Sequence, residues 1–258
     1  MRGLESKVVL VAGAAGGIGA ATATRLAEEG AHVVVADINR DGADNQAAAI
    51  NSRGGSAIAL QYDQSDEASI VDLVKRTVDH FGSLHGLHAN AADIRTEVLE
   101  NDRSVDAMIA ASWEHTIRVN VIGYGLLIRE ALPHMLNAGA GSIVLTSSAS
   151  SHYNDPGAQF PAYASSKAAV DALCRHTASL CGRRGIRCNA VAPGAVLTEA
   201  LRAAQTQETV DTFLAATRSN RLGKPEDIAN TVTFLLSDDA SWVNGQVWSV
   251  NGGLTFRG

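Results

Sequence analysis

The chain has 258 residues, 46% of them hydrophobic, and a formal net charge of -6. That mildly acidic balance argues against nucleic acid or an anionic membrane as a main partner, and no run of about 18 apolar residues is present to span a bilayer. The three cysteines, Cys174, Cys181 and Cys188, give neither a disulfide framework nor a paired metal spacing; they read as small buried apolar residues in a reducing cytoplasm, and no metal is expected.

Residues Met1 to Lys7 lack the apolar stretch and cleavage site of a signal peptide and run into a first strand, Lys7 to Ala12, whose unbroken apolar character is that of a buried parallel strand. Gly19 to Glu29 is alanine-rich and helical, stopped by Gly30. His32 to Ala36 is a second buried strand, Asp41 to Ser52 a helix closed by Gly54-Gly55, and Ser56 to Gln61 a third strand. Asp66 to Phe81 carries Ile70, Leu73, Val74, Thr77 and Val78 at helical spacing, and Leu84 to Ala89 is a fourth strand. Asp93 to Ser112 is polar and carries no clear period. Trp113 to Asn137 reads as one long helix, Ser142 to Thr146 as a fifth strand, Ala162 to Gly182 as a helix and Ile186 to Ala192 as a sixth strand. Ala195 to Asn220 mixes small, polar and apolar residues and suggests a mobile helical insertion. Pro225 to Leu236 has proline at its start and acids in its first turn, as a helix N-terminus favours; Gln246 to Val250 is the last strand. The alternation predicts one α/β domain over residues 1–258, a doubly wound parallel sheet of about seven strands with helices on both faces.

The turn after the first strand contains Gly13, Gly17 and Gly19 in the spacing Gly-x-x-x-Gly-x-Gly, a variant of the dinucleotide fingerprint. Gly13 suits a tight turn, Gly17 a close backbone approach to a pyrophosphate and Gly19 close packing of helix on strand, with the helix N-terminus facing the phosphates. Asp37 ends the second strand about 20 residues on, where an acid bonds a ribose 2′-hydroxyl. A carboxylate there repels a 2′-phosphate, so NAD is expected over NADP, with Arg40 the one cation placed to oppose that.

Tyr163 and Lys167 are four residues apart on a helix, which puts their Cβ atoms roughly 5–6 Å from each other. A free phenol titrates near 10, so only about one in a thousand is ionised at neutral pH, and bringing it to about 7 takes roughly 4 kcal/mol. One ammonium about 4 Å away supplies that order of energy at an effective dielectric near 20. Ser147 and Ser148 close the fifth strand, where a hydroxyl can donate to an oxygen that gains charge. Asn120 lies on the preceding helix, where it could hold a water linking Lys167 to solvent.

These residues together resemble the short-chain dehydrogenase/reductase family in its roughly 250-residue form, over nearly the whole chain. The resemblance implies Tyr163 as general acid/base, Lys167 as the residue that lowers its pKa and bonds the nicotinamide ribose, Ser148 as the substrate-orienting serine and Asn120 as the end of a proton relay. The stretch from Ser148 to Tyr163 is longer than the family pattern, which leaves Ser150 as the other candidate serine; Ser148 is preferred because it adjoins the strand. Ile38 follows the ribose-binding acid. Asp63, followed by Gln64, resembles the acid that contacts adenine. Ala89-Asn90-Ala91-Ala92 resembles the family's Asn-Asn-Ala-Gly, so Asn90, Ala91 and Ala92 are expected along the cofactor. Pro193-Gly194-Ala195-Val196-Leu197-Thr198 resembles the turn over the nicotinamide carboxamide, placing Pro193, Gly194, Val196 and Thr198 there. Asn251 stands where the family has aspartate, and Gln64 where it has valine.

The implied activity is NAD-dependent interconversion of a secondary alcohol and the matching ketone, with residues about 195–220 covering the substrate. Leu197, Leu201, Phe213 and Leu214 in that segment suggest an apolar substrate of moderate size. An NAD-using epimerase or dehydratase is disfavoured by the glycine spacing, and a nucleotide-sensing module without turnover by the presence of both Tyr163 and Lys167. The family habit of tetramers implies a homotetramer through the two long helices, where Ala164, Ala168, Ala169 and Ala172 permit close contact. His85 and His88, three apart on a strand, face opposite sides and cannot share a metal. His152, Tyr153 and Asp155 precede the Tyr163 helix and are candidates for the substrate pocket or for plain solvated loop.

Overall fold

The structure, a computed structural model, describes residues 1–153, 160–204 and 206–256. Asp155 therefore lies outside the described residues. Seven parallel strands, β1 (Val8–Ala12), β2 (His32–Asp37), β3 (Ser56–Gln61), β4 (Gly86–Ala89), β5 (Gly141–Thr146), β6 (Ile186–Pro193) and β7 (Val247–Val250), form one sheet in the order β3-β2-β1-β4-β5-β6-β7. Every residue of β1 is buried, as its apolar run requires when both faces of a sheet are covered. The order reverses between β1 and β4, and the carboxyl ends of the strands at such a switch point form a natural ligand crevice.

Helices α1 (Gly17–Glu28) and α2 (Arg40–Ser52) cover one face; α3 (Glu67–Phe81) lies on the other. Asn39 caps α2 by accepting the Gly42 N–H, Asp66 caps α3 by accepting that of Ala68, and Gly82, at φ 77°, ends α3 in the left-handed region that glycine adopts freely. The unpatterned stretch after β4 contains a short helix, α4 (Thr96–Glu100), and a 3₁₀ turn, Val105–Ala107. Its helical pieces are too brief to show a period in sequence.

The expected helix over Trp113–Asn137 begins earlier and is not uniform. It comprises α5 (Ala110–Ile117), a π turn over Arg118–Ile122 and α6 (Gly123–Asn137). One such wide turn inserts a residue and re-aims the side chains within it, a feature often found at functional sites. Next come α7 (Pro161–Cys181), α8 (Glu199–Ala204), α9 (Gln207–Ala216) and α10 (Pro225–Leu236). The 195–220 insertion is thus two short helices. Asp227 closes the N-terminus of α10 by accepting the Lys224 N–H at 2.7 Å.

Two apolar cores flank the sheet. One joins Leu10, Val34, Leu87, Ile143 and Ala190 to α3, α6 and α7, and the other joins Val9, Val11, Val33, Val35 and Val144 to α1, α2 and α10. Alternate strand residues serve opposite faces, so the sheet is rigidly held and its carboxyl edge is a fixed platform. None of the helices among the described residues is long and apolar enough to cross a membrane.

Candidate active site

The turn between β1 and α1 is shaped by what surrounds its glycines. Gly13 sits at φ 83°, and a Cβ on it would lie 2.6 Å from the Ala91 Cα. A Cβ on Gly19 would lie 1.9 Å from the Gly13 carbonyl oxygen, so that residue is where helix and turn pack closest. A Cβ on Gly17, at φ 54°, would meet only Thr198, its methyl at 3.1 Å, and without one the backbone is approachable. No side chain caps the N-terminus of α1, which leaves its N–H groups and dipole for an anion. Ile18 occupies the first turn beside them.

Asp37 ends β2, and its carboxylate accepts the Ala15 N–H at 2.9 Å and the Asn39 N–H at 3.0 Å. The cap of α2 is Asn39 itself, so Asp37 serves the glycine turn instead. Ile38 beside it is 64% exposed, an apolar face at the crevice rim. Arg40 is exposed and lies 3.5 Å from Asp44. Asp63 turns one carboxylate oxygen onto the Ser65 N–H and hydroxyl, both at 2.7 Å. Gln64 is different: its amide donates to the carbonyls of Ala91 at 3.0 Å and Val119 at 2.9 Å and accepts the Tyr62 hydroxyl at 2.8 Å. That side chain is consumed in tying β3, β4 and the π turn together, leaving only its backbone for a cofactor.

Asn90, just past β4, donates to the Gly13 carbonyl at 2.9 Å, while its own Oδ1 accepts the Thr146 hydroxyl at 3.1 Å. Ala91 and Ala92 follow at the rim. Pro193 closes β6, and Gly194 follows where a Cβ would lie 2.9 Å from the Asn251 carbonyl oxygen. Val196 bridges to Gly223, and Thr198 accepts the Leu201 N–H at 3.1 Å, which starts α8 over the mouth of the crevice.

Lys167 is 1% exposed. Its ammonium donates to the Thr146 carbonyl at 2.8 Å and lies 5.6 Å from the centre of the Tyr163 ring and 5.3 Å from that of Tyr124. Tyr163 and Lys167 thus share one helix face directed at the end of β5. Burial brings the lysine down from 10.5 to about 7, with the Asp171 charge opposing that fall. Burial pushes the Tyr163 phenol up, and the Ser148 side chain, hydrogen-bonded to it, pulls in the opposite direction. Burial thus acts on both members of the pair, lowering the ammonium and raising the phenol.

Ser148 starts a 3₁₀ turn, accepting the Ser150 N–H at 3.1 Å; of the two candidate serines it is the one that engages Tyr163. Asn120 sits in the π turn, 1% exposed, and donates to the Ser166 hydroxyl at 3.0 Å. Its Oδ1 is buried and without a hydrogen-bond partner among the described residues. A buried acceptor left open calls for a water or ligand donor.

Three residues that the sequence did not single out belong to this arrangement. Tyr124, fully buried, directs its hydroxyl at the Thr146 carbonyl at 3.4 Å; its position four residues after Asn120 was the available signal. Thr146 joins both halves of the site. Asp102, 2% exposed, reaches the start of α7, and nothing in its local sequence marks it. His88, held down to about 3 by burial, meets the Thr146 hydroxyl at 2.9 Å, whereas His85 accepts the Val8 N–H at 3.0 Å. Both are structural. No group of three metal-ligating side chains occurs among the described residues.

A family model described as enoyl-(acyl carrier protein) reductase matches residues 13–255. The chain belongs to the short-chain dehydrogenase/reductase family. Among curated members, a 7α-hydroxysteroid dehydrogenase of Bacteroides fragilis is 33% identical over 100% of this chain and 97% of its own length. The cis-4-hydroxycyclohexanecarboxylate dehydrogenase of Sinomonas cyclohexanicum is 39% identical over 96% of each chain. Among solved structures of the family, a 7α-hydroxysteroid dehydrogenase complexed with NADH and 7-oxoglycochenodeoxycholic acid superposes with a TM-score of 0.90 at 36% identity, covering 98% of this chain and 95% of that one. Levodione reductase superposes with a TM-score of 0.88 at 32% identity, covering 96% and 97%. The seven-stranded doubly wound fold expected from the alternating pattern is the fold of these relatives.

Proposed function

We propose that the protein is an NAD-dependent oxidoreductase that interconverts a ring-borne secondary alcohol and the matching ketone. One observation carries the reading: Tyr163, Lys167, Ser148 and the open acceptor of Asn120 converge at the carboxyl edge of the sheet beside an uncapped, glycine-lined helix N-terminus. The similar hydroxysteroid and hydroxycyclohexanecarboxylate dehydrogenases support the substrate class, and the NADH-bound relative supports the cofactor.

Gly13, Gly17, Ile18 and Gly19 would hold the pyrophosphate. Asp37 would take the adenosine ribose and Ile38, Asp63 and Gln64 the adenine side. Asn90, Ala91, Ala92, Pro193, Gly194, Val196 and Thr198 would line the nicotinamide half. NAD, when bound, supplies the hydride acceptor for alcohol oxidation. Tyr163 takes the hydroxyl proton of the substrate. Ser148 holds the same oxygen and fixes its distance from the phenol. Lys167 stabilises the phenolate when its ammonium is kept charged, and Asn120 positions a water that returns protons to solvent. Fixing donor and acceptor at close range supplies much of the acceleration. Asp37 favours NAD over NADP, since its carboxylate repels a 2′-phosphate.

The protein works as one domain over residues 1–258, with about 195–220 covering the substrate. Its assembly is a homotetramer built on the long helices, where Ala164, Ala168, Ala169 and Ala172 form a partly exposed strip on α7; sedimentation velocity gives its mass. The three free, buried cysteines suit the cytoplasm. Screening cyclic secondary alcohols by NADH absorbance tests the activity and separates it from a sensor module. Tyr163→Phe should keep NADH binding and lower turnover by about a thousandfold or more; retained turnover refutes the assignment.

A further inference from the structure

Residues 100–111 run along the surface, and all are exposed except Asp102. A carboxylate is costly to bury unless every oxygen is bonded, and both oxygens here are engaged. Oδ1 accepts the Ala162 N–H at 2.9 Å and Oδ2 the Tyr163 N–H at 2.8 Å. The Asp102 carbonyl accepts the Phe160 N–H at 2.9 Å as well.

The start of α7 needs this help. Its flanking residue is Phe160, at φ 73° and ψ 49°, with no side-chain atom to cap the helix. Pro161 has no N–H. The first N–H groups of the helix are therefore those of Ala162 and Tyr163, and the residue that satisfies them lies 60 positions upstream. A negative charge there is favoured by the helix dipole. One of the two bonds is to the backbone of the residue that carries the phenol.

We infer that Asp102 is a positioning residue: its carboxylate, clamped on the first two free N–H groups of α7, sets the height and rotation of that helix and so the place of the Tyr163 hydroxyl. The inference rests on the proposed role of Tyr163 in hydride-transfer chemistry. It differs from an ordinary local cap in that the loop after β4, beside the cofactor crevice, is what anchors the helix bearing the base. A shift of about 1 Å in a reacting group can cost on the order of 100-fold in rate.

The test uses the full chain with Asp102→Ala and Asp102→Asn, cyclohexanol and NAD as probes, and temperatures well below the melting point. Asp102→Ala should speed hydrogen exchange at the Ala162 and Tyr163 amides. It should lower kcat on the order of 100-fold while the NADH dissociation constant stays within about twofold. Asp102→Asn keeps one acceptor oxygen and should recover roughly a tenth of the wild-type kcat. A merely structural role predicts a lower melting temperature with kcat per folded molecule unchanged, and that result overturns the inference. So does a loss of NADH affinity as large as the loss of kcat. If the alanine variant does not fold, wild-type kcat in Asp102→Asn overturns it equally. Unchanged amide exchange overturns the clamp whether or not any alcohol is oxidised; absence of turnover in the wild type, with the exchange difference present, sinks the activity reading alone.

Discussion

Replacing Lys167 by methionine should stabilise the cofactor-free protein at neutral pH while abolishing its turnover. Lys167 is 1% exposed, and burial brings it from 10.5 down to about 7. Between those values the unfolded chain binds a proton that the folded chain releases. Stability due to this group is therefore complete above 10.5, falls as the pH drops through the window, and is flat below about 7. At pH 7 the accumulated cost is roughly 5 kcal/mol. Against it stands the bond to the Thr146 carbonyl at 2.8 Å, a neutral-range contribution of about 1 kcal/mol. Methionine is similarly long, unbranched and apolar, so packing changes little. The net expectation is a gain of about 4 kcal/mol at pH 7, which for a chain of this size raises the melting temperature by roughly 8–16 °C. Thermal melts of both proteins without NAD, at pH 7 and pH 10, provide the comparison. The advantage of Lys167→Met should vanish at the higher pH. A less stable variant at pH 7, or a difference that does not change with pH, would refute the reasoning that the ammonium is held against a desolvation penalty.

Gly19→Ala places a methyl 1.9 Å from the Gly13 carbonyl oxygen and should force the turn open, weakening NADH binding by about tenfold or more while also lowering the melting temperature; fluorescence titration measures the first. Asp37→Ala removes the acceptor for the Ala15 and Asn39 N–H groups and the charge that repels a 2′-phosphate, so the ratio of kcat/KM with NAD to that with NADP should fall by roughly tenfold. Asn251→Asp loses donations to the Thr255 carbonyl at 3.3 Å and hydroxyl at 2.9 Å and sets a carboxylate against the former; a loss of about 1–3 kcal/mol should appear in urea titrations.

Much of this architecture is legible from residue patterns because each strand is buried on both faces. β3 and α10 occupy the spans read from their residues alone, and the limits of the other long elements fall within a few residues of those read. Asp66 and Gly82 mark the ends of α3 by chemistry that acts locally. The π turn is not legible, since its five residues are too few to show a period of their own, yet Asn120 lies within it. Asp102 is invisible for another reason: its partners lie 60 and 61 residues away. Gln64 is placed beside the adenine by position, and position does not report that its buried amide is engaged by Tyr62, Ala91 and Val119. The Tyr163–Lys167 pair was readable from spacing, whereas the ionisation of its lysine depends on burial, which spacing does not report.

The two halves of the site are joined through one residue. Thr146 closes β5, and its hydroxyl donates to Asn90, whose amide in turn holds the Gly13 carbonyl in the glycine turn. Because that hydroxyl has only one proton to give, the contact with His88 at 2.9 Å must run the other way, with Nε2–H donating; burial keeps the ring neutral, so it carries that single proton on Nε2. The carbonyl of the same threonine accepts the Lys167 ammonium and the Tyr124 hydroxyl. Cofactor turn and proton-transfer pair are thus fixed to a single point on the central sheet, within hydrogen bonds that desolvation strengthens. The glycine turn and the Tyr163–Lys167 pair therefore share one anchor at the end of β5.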